Sequence, residues 1–281
     1  MVNVNDYTGL TPAWCPGCGN FGILNAFKKA MVDLNLEPDR VLLVSGIGQA
    51  GKLPHYTRGN VFNSLHGRPI PVAVAAKMVN SELTVIAVSG DGDAYGEGGN
   101  HFLHAVRRNH DITYMVHDNQ VYALTKGQAS PTSEPGYVTR TTPEGSPPPE
   151  NPLLMAVAAG AGFVARSFAG DSEHVAEMIK LGVRHRGFAL IDILQPCVTF
   201  NRVNTFDWYR QRVYKLDKTY NTGDRTAAFA KAGEWGDRIP IGVIFEQAHP
   251  TFEEHLPALK RGTSVGQPPP AGVEALLNEF T

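Results

Sequence analysis

The sequence predicts an α/β protein: a mostly parallel sheet with helices on both faces. Three observations lead there. Short apolar runs at 41–44, 83–88, 112–116, 163–168 and 188–194 are bounded by turn residues, the pattern of strands buried on both sides. Segments of helical periodicity lie between them, which is the order that generates parallel pairing. Polar and glycine-rich clusters close several of the runs, and in open α/β sheets the carboxyl ends of the strands are where ligands bind.

In chain order, Cys15 and Cys18 form a Cys-x-x-Cys within Trp14-Cys15-Pro16-Gly17-Cys18-Gly19. Such a loop directs both sulfurs to one metal or cluster; a redox dithiol and a pair of inert thiols are the alternatives. From Gly19 onward Phe21, Leu24, Phe27 and Met31 share one helical face, a core stripe. The strand at 41–44 ends in Ser45-Gly46-Ile47-Gly48-Gln49-Ala50-Gly51-Lys52, where glycines suit close approach to a ligand and Lys52 is available to an anionic substrate. His55 and His66 fall in loops, and Pro69 fixes a turn. A helix at 73–79 leads to the strand at 83–88, which ends in Ser89-Gly90-Asp91-Gly92-Asp93. A helix over 96–109, with Phe102, Leu103 and Val106 on one face, connects to the strand at 112–116. His117-Asp118-Asn119-Gln120-Val121-Tyr122 closes that strand, and 120–133 is a polar loop placed for substrate selection.

Residues 143–152 are a Pro-rich connector. The α/β pattern returns as a helix at 153–161, a strand at 163–168, a helix capped by Asp171 or Ser172, and a strand at 188–194 ending at Pro196-Cys197. Cys197 therefore lies on the edge that carries Gly46 and Asp91, and the three thiols are expected to share one site. Beyond Asn201 the pattern fades. Trp208, Tyr209, Tyr214 and Tyr220 suggest an interface-covering extension or ordinary surface packing, 240–244 a short strand, and 262–272 a tail.

The chemistry of the strand ends is specific. Asp91 offers a carboxylate oxygen, Asn119 a carbonyl oxygen and Val121 a main-chain carbonyl, a donor set suited to octahedral Mg²⁺ alongside phosphate oxygens. Gly90 and Gly92 permit close approach of a diphosphate, with a helix N-terminus behind it. Gly-Asp-Gly followed by Asn after nearly thirty residues resembles the thiamine diphosphate motif; a common Gly/Asp turn is the bland reading. With 281 residues, 42% hydrophobic and a net charge of −2, the chain can bury a sizeable core and gives no electrostatic reason to expect nucleic acid or an anionic membrane. It has neither a bilayer-length apolar stretch nor signal-peptide features at its start, so the expected location is cytoplasmic. Three cysteines are then thiols or metal ligands.

Taken together, these motifs with Ser64-Leu65-His66-Gly67-Arg68 and Thr125-Lys126-Gly127-Gln128-Ala129-Ser130-Pro131-Thr132 resemble the beta subunit of 2-oxoacid:ferredoxin oxidoreductases, from about Thr11 to about Thr205. The resemblance implies a thiamine diphosphate-binding fold over 1–200 and a C-terminal extension at a subunit interface over 201–281. It implies Mg²⁺ held by Asp91, Asn119 and Val121, and a cofactor lined by Gly46, Ile47, Gly48, His66, Gly92, Asp93, Asn119 and Val121. Lys52, Leu124 and Lys126 fall where the family contacts or selects the oxoacid. Cys15, Cys18 and Cys197 match three ligands of a 4Fe-4S iron–sulfur cluster, and Gln49 stands where the family has the fourth cysteine. A non-cysteine ligand, a three-iron cluster, or no cluster would each account for that.

The implied activity is CoA-dependent oxidative decarboxylation of a 2-oxoacid, with electrons passed through iron–sulfur to ferredoxin. The resemblance also implies a partner alpha subunit that supplies the catalytic glutamate and binds coenzyme A and substrate, so the chain is expected to be active only with it. Pairing of Lys52 and Lys126 with a distal carboxylate favours 2-oxoglutarate over pyruvate. The rivals are a non-oxidative thiamine decarboxylase or carboligase and a non-catalytic scaffold subunit.

Overall fold

A computed structural model describes residues 1–265, 272 and 277–278. The Pro-rich part of the expected tail, Pro268 to Pro270, lies outside the described residues. The apolar runs become the strands of one sheet: β1 (Val41–Ser45), β2 (Asn60–Asn63), β3 (Thr84–Gly90), β4 (Thr113–Asp118), β7 (Phe163–Phe168), β8 (Ala189–Leu194), β9 (Val213–Lys215) and β10 (Ile239–Glu246). A separate hairpin holds β5 (Val121–Tyr122) and β6 (Gln128–Ala129). The eight-stranded order is β2-β1-β3-β4-β8-β7-β10-β9. Every pairing is parallel except β10 with β7.

Alternation along each strand divides the core in two. Leu43, Ile86, Val88, Met115, Ile191 and Ile193 face α1 (Asn20–Asp33) and α5 (Ser172–Arg184). Val44, Val85, Ala87, Tyr114, Val116 and Leu190 face α2 (Pro69–Val79), α3 (Gly99–Arg108), α4 (Pro152–Ala159) and α7 (Arg225–Gly233). Both faces are covered, so the central strands are near-continuous apolar runs.

Some expectations change in detail. The turn expected before Pro69 is closed by the Arg68 N–H donating to the Leu65 carbonyl at 3.0 Å, and Pro69 itself begins α2, a position where its missing N–H costs no bond. The helix expected over 96–109 begins as a π-helical turn, Gly92–Glu97, and only then becomes α3. Leu103 is 37% exposed, and Ala105 joins Phe102 and Val106 on the buried face. The region after Asn201 is more regular than its pattern suggests: α6 (Phe206–Arg210), β9, α7 and β10 extend the sheet. The aromatics there pack within this chain. Tyr209 is fully buried with Phe168, Leu194, Ile239 and Ile241, Trp208 meets Tyr209 edge-on, and Tyr220 donates to the Ile244 carbonyl at 2.8 Å.

Candidate functional site

Because β1, β3, β4 and β8 are adjacent and parallel, Gly46, Asp91, Asn119 and Cys197 emerge along one edge. Two cavities open there. The first is lined by Ile47, Gly48, Gln49, His66, Asp91, Gly92, Asp93, Asn119, Val121 and Leu124, among others.

Asp93 organises its floor. Its Oδ1 accepts from the Ile47 N–H at 3.1 Å and the Gly67 N–H at 2.7 Å, and its Oδ2 from the Ser89 hydroxyl at 2.6 Å. One carboxylate therefore ties the β1 loop, the Ser64–Gly67 turn and the end of β3 together. Gly46 is required beside it, since any Cβ there would fall within the Asp93 carboxylate. Gly92 is equally constrained: a Cβ would overlap the Tyr122 ring. His66 Nδ1 lies 3.0 Å from Asp93 Oδ1 and 3.2 Å from Glu97 Oε2. Neither contact is aligned as a hydrogen bond, so the buried Nδ1 has no true acceptor.

Asp91 is buried, and burial pushes its carboxyl above the ordinary range. The Thr132 hydroxyl lies 2.7 Å from Asp91 Oδ2 and 2.8 Å from Asp118 Oδ1. A hydroxyl has one proton to donate, so the second contact requires a protonated carboxyl. Asp118 is also pushed well up, by burial first and then by the Asp192 and Asp91 charges. Such a crowd of buried carboxyls fits a divalent cation, whose charge would stabilise the ionised form of Asp91. Asn119 Oδ1 accepts from the Val121 N–H at 3.0 Å, leaving one lone pair for a metal. The turn that presents Asn119 and Val121 holds Gln120 at φ 59°, a left-handed conformation that a non-glycine residue adopts at some cost.

The second cavity is lined by Trp14, Cys15, Cys18, Asn20, Gln49, Asn119, Ala123, Gln195, Cys197 and Phe200, among others. All three cysteines are free thiols. The Cys18 N–H donates to the Cys15 carbonyl at 3.0 Å, which forms the compact turn. Burial pushes the Cys18 thiol up to about 11, so its thiolate needs a metal. Gln49 Oε1 is buried without a partner. Three thiols and an orphaned oxygen on one cavity are a donor set that fits an iron–sulfur cluster. Among the described residues no three His, Cys, Asp or Glu side chains converge as they would on a single ion; a cubane instead spreads its ligands, one to each iron.

The two cavities share Gln49, Asn119 and Ala123. Among the residues expected to touch substrate, Leu124 lines the first cavity, whereas Lys52 and Lys126 do not. Lys52 is half-buried in a 3-10 turn, Ala50–Tyr56. Lys126 is exposed at φ 78° in the β5–β6 turn. Neither lysine is fully buried by the chain on its own, so neither by its burial demands a carboxylate partner. Neither Thr132 nor Gln195 was expected to support the site. Gln195 Nε2 lies 3.6 Å from Cys18 Sγ, and its only sequence signal is a polar residue ending a buried strand.

Residues 46–193 match the family model described as thiamine pyrophosphate enzyme, C-terminal TPP binding domain. Residues 197–261 match the model for the C-terminal part of the pyruvate ferredoxin oxidoreductase beta subunit. A 2-oxoacid:ferredoxin oxidoreductase subunit beta from Sulfolobus sp is 46% identical over 260 residues, covering 87% of this chain and 85% of that protein. The subunit beta from Saccharolobus solfataricus is 44% identical over 273 residues, covering 92% and 89%. Among solved structures, 2-oxoglutarate:ferredoxin oxidoreductase from Magnetococcus marinus, with 2-oxoglutarate, coenzyme A and succinyl-CoA bound, superposes at a TM-score of 0.92. It is 36% identical and covers 100% of this chain and 96% of its own. Among the described residues no helix is long and apolar enough to cross a membrane.

Proposed function

The chain belongs to the beta subunits of the 2-oxoacid:ferredoxin oxidoreductases, and from that premise we propose how its two cavities are used. The first holds thiamine diphosphate through Mg²⁺ on Asp91, Asn119 and the Val121 carbonyl. The second holds an iron–sulfur cluster on Cys15, Cys18 and Cys197. The observation that supports this reading is their common wall of Gln49, Asn119 and Ala123, a separation of one side chain that suits electron transfer from a reacting centre to a cluster.

Bound thiamine diphosphate supplies a carbon nucleophile for the keto carbon and a sink for the electron pair left when CO₂ departs. The residues of this chain hold and shape the site. Asp91 and Asn119 fix the metal and hence the diphosphate. Gly46 and Gly92 leave the floor free of side chains, and Asp93 holds the loops in register. Ile47 and Leu124 are apolar and partly exposed at 40% and 44%, and they limit water at the reacting end. Among the described residues no glutamate lines the first cavity, which fits a catalytic glutamate supplied by an alpha subunit. Coenzyme A as acyl acceptor and ferredoxin as electron acceptor complete the reaction.

The substrate we favour is 2-oxoglutarate. Its support is the likeness, over the whole chain, to the Magnetococcus marinus enzyme, together with exposed Lys126 two residues beyond Leu124, which lines the first cavity. An exposed lysine there would attract a dicarboxylate without being buried by it.

The test is an anaerobic assay of the complex with its alpha subunit against 2-oxoglutarate and pyruvate. Ferredoxin reduction with 2-oxoglutarate, abolished in Asp91→Ala together with Mg²⁺-dependent thiamine diphosphate binding, is the expected result. Lys126→Met should raise KM for 2-oxoglutarate more than for pyruvate; equal changes would remove the substrate assignment. Release of CO₂ without ferredoxin reduction would instead favour a non-oxidative decarboxylase.

A further inference from the structure

Gln49 occupies the position where a fourth thiolate is missing, and its surroundings bear on what replaces it. Its backbone is fixed from two sides: Trp14 Nε1 donates to the Gln49 carbonyl at 2.9 Å, and the Lys52 N–H at 3.3 Å. Its side-chain oxygen is buried and accepts from no group. A buried amide oxygen without a donor loses its hydration with no compensation, at a cost of about 1–3 kcal/mol. Such an atom calls for a partner the chain itself does not provide, an ordered water or a bound group. Gln49 lines the cavity that also receives Cys15, Cys18 and Cys197.

We propose that Gln49 Oε1 is the fourth protein ligand of the iron–sulfur cluster, giving a cluster held by three thiolates and one carboxamide oxygen. This rests on the proposal that the thiol cavity holds a cluster, and deepens it. An amide oxygen is neutral, harder and a weaker donor to iron than a thiolate. Two properties follow. The iron on Gln49 is the most easily lost of the four. The cluster also carries one less negative charge from its ligands, so its reduction potential lies above that of an all-thiolate form, as net cluster charge dictates. Gln49 also lines the thiamine cavity, and an oxygen turned to that side would leave the iron indifferent to substitution.

The experiment uses the anaerobically purified complex with its alpha subunit. It compares wild type, Gln49→Ala and Gln49→Cys by iron assigned to this chain, EPR and Mössbauer spectroscopy. Co-purification with the alpha subunit and an unchanged circular dichroism melt report that each variant is folded. Wild type should hold four irons, one of them spectroscopically distinct. Gln49→Ala should lose about a quarter of the iron and show a three-iron EPR signal when oxidised. Gln49→Cys should keep the full complement, lose the distinct iron, and shift the potential downward. Full iron and an unchanged spectrum in Gln49→Ala would overturn the ligand assignment alone. So would a distinct iron that persists in Gln49→Cys, or a three-iron cluster in wild type. Wild type without any iron would overturn the cluster itself, and the ligand assignment with it.

Discussion

Asp93 separates a residue that touches the cofactor from one that builds the loops around it. The carboxylate accepts from Ile47 N–H, Gly67 N–H and the Ser89 hydroxyl. Hydrogen bonds to a charged acceptor contribute about 1.5 kcal/mol or more each, so three are worth about 4.5 kcal/mol. Burial of the carboxyl works against this, and it pushes the Asp93 pKa upward; removing the charge recovers part of that cost. Asp93→Ala should therefore destabilise the chain by about 3 kcal/mol. Asp93→Asn keeps one oxygen for the two backbone donors. Its NH₂ then meets Ser89 Oγ, which already receives the Tyr114 hydroxyl at 2.9 Å. Ser89 can accept both, and the cost falls to about 1 kcal/mol. The assay is hydrogen exchange of the peptides spanning 45–48 and 64–68, read beside thiamine diphosphate titration of the complex. Ala should lose protection in both peptides and bind about 30-fold more weakly, the factor that corresponds to about 2 kcal/mol of loop ordering. Asn should keep protection and bind within about 5-fold. Equal loss of binding in Asn and Ala, with protection intact in both, would mean a direct cofactor contact and refute the scaffold argument.

Gly92→Ala should force the Tyr122 ring aside, because the added Cβ overlaps it; the expected cost is about 1–3 kcal/mol, with weakened thiamine diphosphate binding by titration. Cys197→Ser should abolish the sulfur-to-iron absorption at roughly 400 nm in the anaerobic complex while leaving Mg²⁺-dependent thiamine diphosphate binding in place. The pH dependence of stability should include a contribution from Glu253. Burial alone would raise its carboxyl, but the contact with His110 Nδ1 at 2.8 Å and the Asp111 N–H at 3.2 Å outweigh burial and hold it below the ordinary value. The unfolded chain then takes up the proton first, so this contribution is full above the ordinary value of 4.5 and is lost as pH falls through the folded value. Urea midpoints between about pH 6 and about pH 4 should fall less steeply for Glu253→Gln than for wild type.

The parts of the fold legible in the sequence are those where burial on both faces leaves no choice of residue. β3 is apolar through its centre, and β8 is apolar apart from Asp192; both are bounded by turn residues, which aligns their carboxyl ends. β2 was not legible. Asn60–Asn63 is an exposed edge with Asn at both ends, and no apolar alternation marks it. β10 is expected at 240–244 despite Pro240 and Gly242, residues that argue against a strand interior; it runs from Ile239 to Glu246 and pairs with β7 through a register shift between Val243 and Phe245. The side chains that support the site were harder still. Thr132 reaches Asp91 across 41 positions and Gln195 reaches Cys18 across 177. Single polar residues without local periodicity carry no signal of such long-range partners. Lys52 and Lys126 were ambiguous for the opposite reason: a charge near a motif reads the same whether its side chain enters the cavity or solvent.

The common wall of the two cavities is a consequence of strand order rather than of any one motif. β4 and β8 are neighbours, and the Gln195 N–H donates to the Asp118 carbonyl at 2.7 Å, extending their pairing just past the strands. That bond sets Gln195 beside Asn119. Asn119 Nδ2 donates to Gln195 Oε1 at 3.3 Å, and Gln195 Nε2 points to Cys18 Sγ at 3.6 Å. A cation held by Asn119 Oδ1, as proposed, would draw electron density from the Asn119 amide N–H groups, strengthening the bond to Gln195 and, through that second carboxamide, the donation to sulfur. Donation to a ligating sulfur raises a cluster's potential. Under the proposed function, occupation of the first cavity would thus make the second a better electron acceptor. Such a coupling would need no moving part, because both carboxamides are held by the strand ends that define the sites.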